Sequence, residues 1–368
     1  MKTYRWFFLI LVSSVLVSCG GTSEEELIGD WQRRAFFYGT ARSHAATFVI
    51  GNKGYVCCGY DGLKLRRNDV CVFDHTAANG MGSWQRLKDF PGPRRSHAVG
   101  FSINDFGYIG AGWDGDETDM KDFWRFDPNT GEWTEVAPLP EMAYPRRGAI
   151  AFSLSVGGEV YGYVGFGFFE VTNDKGYLLD LWQFDPKGKT GELDGRWTEV
   201  TGYGGWKREG ALVFTLDNKA YICTGKSSNT SVYDFWVFDP NNAESTWKQK
   251  KTMWDANPDE DYDDDYTGLP RSYGSAYVVS VSGQLRGHIV GGEGGNAVKN
   301  WEYDHDNDLW TQRTNFYNYR SGSSREGMVS FSFPDGKAFV GMGKAGSSYF
   351  DDLWEFIPLM DDDIYSDQ

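Results

Sequence analysis

Residues 122–133, DFWRFDPNTGEW, read as a hairpin. An aromatic-rich strand runs into Asp127-Pro128, a pair that opens a tight turn, and Trp133 stands on the short strand that follows. The first half recurs as DVCVFD from Asp69, DLWQFDP from Asp180, DFWVFDP from Asp234, NWEYD from Asn300 and DLWEFIP from Asp352. Ahead of each copy lies a strand ending in small residues, such as GYIGAGWDG from Gly107 or GHIVGGEGG from Gly287. Ahead of that lies an arginine at the mouth of an apolar strand: ARSHAATF from Ala41, RRSHAVGF from Arg94, RRGAIAF from Arg146, KREGALVF from Lys207, PRSYGSAYVV from Pro270 and SREGMVSF from Ser324. Taking the repeat arginines as Arg42, Arg95, Arg147, Arg208, Arg271 and Arg325, the spacings are 53, 52, 61, 63 and 54 residues. A period of this length marks an array of small sheets.

The fourth part of each unit is a tryptophan on a short strand: Trp84, Trp133, Trp197, Trp247 and Trp310. The sixth unit ends after Trp354 and lacks it, while Trp31 in GDWQRRAFF stands near the other end of the chain. An N-terminal strand that completes the last sheet closes a ring and removes the open sheet edges. The expected fold is all-β: six four-stranded blades over residues 29–360, the last shared between the two ends. Small residues at the end of each second strand let blades approach one another. Eleven tryptophans fall in the third and fourth strands and are expected in the core (31, 84, 124, 133, 182, 197, 236, 247, 301, 310 and 354).

With its strand–Gly–Gly, D-W-x-F-D-P and following Trp, the unit resembles the kelch repeat, and the resemblance spans nearly all of the chain beyond the N-terminal segment. It departs in two ways: the double glycine is intact only at Gly291-Gly292, and Cys71 replaces the tryptophan of the first unit. The resemblance implies a β-propeller that takes ligands on the face carrying the loops between second and third strands.

The composition is strongly acidic, with a formal charge of -16, which disfavours nucleic acid as a partner. Lys2 and Arg5 precede a short apolar run from Trp6 to Val17, too short for a spanning helix. It ends in LVSCGG, which resembles the lipobox of bacterial lipoproteins. That resemblance implies cleavage after residue 18, lipidation of Cys19, a tether over residues 19–28 and residence at the outer membrane, facing the periplasm or the cell surface. Membrane contact would then be through the lipid alone. TSEEE from Thr22 resembles the surface-export signal of Bacteroidetes lipoproteins. Four further cysteines (57, 58, 71 and 223) sit at core positions of the repeat and are expected as buried thiols, with a bridge from Cys71 to Cys57 or Cys58 open if those strands are neighbours.

Each repeat arginine begins an innermost strand on the loop face. Six guanidiniums about one opening would suit a carboxylate, sulfate or phosphate. The kelch resemblance also implies a structural role for arginine here, binding backbone carbonyls or a loop aspartate, for about half of the six. Tyr60, Trp113, Phe168, Lys226, Glu293 and Lys344 are placed to reach the same rim, and Trp113 beside cations and carboxylates suits a sugar. His44 and His97 share one repeat position; repeat packing accounts for them better than a metal, which usually needs three or more ligands. The acidic stretch from Asp255 is expected as a solvated insertion rather than a calcium loop, DHDND from Asp304 as a turn, and residues 361–368 as an acidic tail.

No HExxH, GxSxG or phosphate-loop pattern occurs, and no cofactor is implied. The leading expectation is a binding protein for an anionic small molecule, a glycan or an envelope protein. A rival comes from resemblance to kelch sialic-acid mutarotases, whose site places a Glu after one second strand and an Arg six residues on. Here that spacing gives Glu293 and Lys299, with Glu293 moving the anomeric proton and Arg208, Arg271 or Arg325 holding the carboxylate. A structural or assembly subunit is the third class.

Overall fold

The computed structural model describes residues 27–116, 119–254, 266–294, 297–316 and 324–361. Cys19, the export signal, most of the acidic insertion from Asp255 and the acidic tail beyond residue 361 lie outside them. Six four-stranded antiparallel sheets are formed, and in five of them strand order follows the chain from inside to outside. Blade two is Val99–Ile103, Phe106–Gly110, Phe123–Asp127 and Glu132–Val136, the last two being the hairpin of residues 122–133.

The sixth blade takes Val329–Ser332, Ala338–Gly341 and Leu353–Asp361 from one end of the chain and Ile28–Arg33 from the other. The strand of Trp31 completes the sheet that contains Trp354, as expected; it runs antiparallel, with Trp31 opposite Phe356 and Arg33 opposite Trp354. The Trp31 indole donates to the carbonyl of Thr314 at 3.1 Å and packs edge-on against Phe316 of blade five, so the closing strand is also stapled sideways.

Blades meet through aromatic side chains received by small residues. A Cβ on Gly107 would lie 2.1 Å from the Phe48 ring of the preceding blade, and one on Gly287 would lie 2.2 Å from Phe214. Each glycine is therefore a socket, and the ring that fills it contributes to one of the buried clusters between neighbouring sheets. Of the eleven core tryptophans, Trp84, Trp124, Trp133 and Trp236 are half-buried and the other seven are buried. Cys57, Cys58, Cys71 and Cys223 are buried free thiols; Cys71 faces Val56 across the strands, and Cys57 contacts its neighbour Cys58.

A cavity of about 500 Å³ runs along the axis, lined by inner-strand residues that include Val49, Ser102, Ser153, Thr215 and Val278. Hydroxyls here bridge blades: Ser153 donates to the Ser102 carbonyl at 2.6 Å and Ser330 to Ala276 at 2.8 Å.

Candidate functional site

The arginines settle the architecture of the loop face. In blade two the guanidinium of Arg95 donates to both oxygens of Asp122 at 2.7 Å and to the Ala111 carbonyl at 3.0 Å. Asp122 also accepts from the Trp124 indole at 2.9 Å. Arg42 repeats this with Asp69 and Cys58, and Arg325 with Asp352 and Met342. Arg208 binds Asp234 and Thr224. The third blade uses Arg146, not Arg147, with Asp180 and Phe166. That corrects the register assumed from the doubled Arg146-Arg147, where sequence alone offers no means of choosing.

These side chains are 0–1% exposed, so they do not form a basic rim. A charge buried to that degree requires a partner, and five of the six take a carboxylate. Burial alone would raise Asp122, but Arg95 outweighs it and holds the carboxyl below its ordinary range. Among the described residues Arg271 has no carboxylate partner; carbonyls of Gly268, Leu269, Gly291 and Lys299 receive its donors, and burial lowers it to about 10. The arginine expectation therefore fails for Arg42, Arg95, Arg208, Arg271 and Arg325 as ligand-facing groups.

Two circuits of backbone bonds tie this face together. The N–H of the glycine after each second strand donates to the carbonyl of the next blade's buried arginine, from Gly59 to Arg95 at 2.9 Å round to Gly343 to Arg42 at 2.9 Å. Nearer the axis, His97 N–H donates to His44, Gly148 to His97, Gly210 to Gly148, Tyr273 to Gly210, Gly327 to Tyr273 and His44 to Gly327, at 2.8–3.2 Å. All six residues have φ between 52° and 62°. Three glycines adopt this conformation without strain. Side chains of the other three fill the centre: His44 stacks on His97 at 3.9 Å, and Tyr273 stands edge-on to both. Burial lowers His44 to about 3, so this plug is neutral.

Above the plug, the residue after each buried arginine bridges the residue after each glycine: Ser43 with Tyr60, Ser96 with Trp113, Arg147 with Phe168, Glu209 with Lys226, Ser272 with Glu293 and Glu326 with Lys344. The second set was legible in the sequence. Of the first, Arg147 alone is among the expected residues, as a repeat arginine; the sequence signal for Glu209 and Glu326 is the REG triplet that opens blades four and six.

One side of this mouth is a charge cluster. Lys226 donates to Glu293 at 2.8 Å, Lys344 pairs with Glu326 at 2.6 Å, and the Tyr273 hydroxyl donates to Glu209. Glu293 and Glu326 share a side-chain hydrogen bond. Burial and this contact push Glu326 up to about 7, while the same contact and Lys226 hold Glu293 well below the usual carboxylate range. The other side is aromatic and cationic: Arg66 lies 4.2 Å and Arg147 4.8 Å over the Trp113 ring, and Arg66 also covers Tyr60 at 5.0 Å. Arg147 is neutralised by Asp119 and Glu170; among the described residues Arg66 forms no salt bridge. Lys299 is not at the mouth beside Glu293: its ammonium lies 5.4 Å over Trp301. No group of three or more potential metal ligands occurs among the described residues.

Residues 38–165 match the family model described as the KLHDC2/KLHL20/DRC7 Kelch-repeats domain. The fold is a kelch β-propeller. This kelch propeller also superposes on a solved structure titled "Structure of YjhT", with a TM-score of 0.64 and 14% identity over 87% of this chain and 95% of that one. That likeness is one of fold. Among curated proteins no sequence match is found.

Proposed function

We propose that this kelch propeller is a lipid-anchored envelope protein that binds a carbohydrate-like ligand at the mouth built on Glu209, Lys226, Glu293, Glu326 and Lys344. The observation that carries the reading is the coexistence of carboxylates and ammonium groups, half-buried and side by side. A polyhydroxylated ligand both donates and accepts, and it meets such a mixed site better than a simple anion does. Arg66 supplies a cation for a ligand carboxylate. Trp113 holds two guanidiniums over its ring, so it acts as their support rather than as a free stacking platform.

Saturation-transfer NMR against neutral sugars, sugar acids and small carboxylates tests this. Binding that weakens in Glu293→Gln and Glu326→Gln supports it. No binding by any of them, with both variants indistinguishable from wild type, turns the reading toward a partner protein or an assembly role. Incorporation of an alkyne-labelled fatty acid into the full chain, lost in Cys19→Ala, tests the anchor.

A second reading is favoured by the Glu293–Glu326 pair. Two carboxyls held apart in proton affinity suit one base and one acid. In a sugar hemiacetal, the ionised partner would take the anomeric hydroxyl proton while the neutral one protonates the ring oxygen. The C–O bond then opens and recloses on either face, as mutarotation requires. Proton NMR of a sialic acid, read at the C3 methylene protons that differ between its anomers, decides it: an exchange rate equal to buffer removes the enzyme reading.

A further inference from the structure

Blade four carries a second feature on the same face. Its second and third strands are joined by a tight hairpin, Lys226–Ser227 paired with Thr230–Ser231, turned by Ser228 and Asn229 at φ 51° and 64°. Between this hairpin and Trp206 lies a pocket of about 270 Å³, lined also by Val232, Tyr233 and Asp234.

Trp206 is outside the core sets and 68% exposed. Its backbone is nonetheless fixed: the N–H donates to Asp234 at 3.1 Å, and the carbonyl accepts from Arg208 at 3.0 Å. The buried Arg208–Asp234 pair thus holds a rigid base under the indole. Among the described residues, the indole itself has no hydrogen-bond, ring or cation partner, and neither do the hydroxyls of Ser227, Ser228 and Thr230 have a hydrogen-bond partner. Leaving a large aromatic in water costs burial free energy that a ligand would recover. Asp234 is neutralised by Arg208, so the pocket presents an aromatic face and hydroxyls with no free charge.

We propose that this pocket is a subsite for one neutral pyranose ring, and that the ligand of the mouth is therefore an oligosaccharide reaching outward over blade four. The inference rests on the carbohydrate reading of the mouth. A pyranose has a C–H face that stacks on indole and equatorial hydroxyls that match serine and threonine. The continuity is direct: Lys226, which bonds Glu293 at the mouth, is the first residue of the hairpin whose next residue lines the pocket.

The test is a glycan array of neutral and acidic di- to tetrasaccharides with their component monosaccharides, followed by calorimetry on the hits. The full set is run with wild type, Trp206→Ala, Trp206→Phe and Glu293→Gln. Trp206→Ala should weaken the oligosaccharide at least about tenfold and leave the monosaccharide unchanged. Trp206→Phe should recover part of the loss, and Glu293→Gln should weaken both. Unfolding midpoints within a degree of wild type show that the surface variants fold. Oligosaccharide binding unaffected by Trp206→Ala overturns the subsite and leaves the mouth standing. Absence of binding to every glycan overturns both.

Discussion

Arg271 donates a hydrogen bond to the backbone carbonyl of Lys299 at 3.1 Å, at the position where the other five blades offer an aspartate. Lys299 stands two residues before Trp301, as Asp122 stands two before Trp124, and both tryptophans pair with the equivalent isoleucine of the second strand. Among the described residues, blade five therefore buries a guanidinium with no counter-charge, and the residue at the aspartate position, Lys299, offers it only a backbone carbonyl. Lys299→Asp should complete the missing pair. We expect a gain of about 1 kcal/mol in stability, measured by urea denaturation, with Arg271→Met cancelling the gain. A destabilised Lys299→Asp chain would show that the carbonyl cage already satisfies Arg271.

Arg95→Met gives the opposite result, because it strands Asp122. Breaking a buried pair by removing one partner costs about 3 kcal/mol. The Asp122 carboxyl lies below its ordinary range when folded, so the pair contributes fully above the unfolded value and loses its contribution as pH falls through the folded one. The gap between wild type and Arg95→Met should accordingly narrow in acid. A gap of constant size from pH 7 down to pH 3 would mean that packing of the arginine stem, not its charge, is what is lost.

The central plug is tested through its glycines. Gly327 has φ 62°, and a Cβ there would fall 2.5 Å from Nδ1 of His44. Gly327→Ala should destabilise by more than the roughly 1–2 kcal/mol of left-handed backbone strain alone. His44→Gly removes the ring that the new methyl group strikes, so the double variant should lose less than the sum of the singles. Strict additivity would show that the two residues do not share this space.

The fold was legible because its determinants recur. Six copies of one pattern, and a tryptophan missing from one end but present at the other, fix blade number and closure by counting. The site was legible only in part, because it is made where the copies differ. The rim residues after the second-strand glycines can be aligned, but nothing in the sequence separates Arg146 from Arg147 where the two adjoin. A sequence shows charge and not burial: it supports a structural role for about half of the repeat arginines, whereas all six that form the repeat in the structure are buried. Lys299 illustrates the same limit, since its six-residue spacing from Glu293 is met in sequence while its side chain turns toward Trp301.

The carboxyl pair at the mouth carries its own pH signature. Glu326, ordinarily near 4.5, is pushed up to about 7 by burial and by Glu293, so the folded chain holds a proton there that the unfolded chain has released. Stability contributed by that proton is present below the unfolded value and falls as pH rises from about 4.5 to 7, by about 1–3 kcal/mol. Glu293 moves the other way: its contribution is full above 4.5 and fades only as pH falls toward 2. The two windows do not overlap, so one substitution separates them. Glu326→Gln supplies a permanent neutral donor to Glu293 and should abolish the slope between pH 4.5 and 7 while keeping the acid limb. Urea midpoints at pH 5 and 7.5 read this directly. If wild type and Glu326→Gln change in parallel between those values, the pair does not hold a shared proton, and the acid–base reading of the mouth loses its basis.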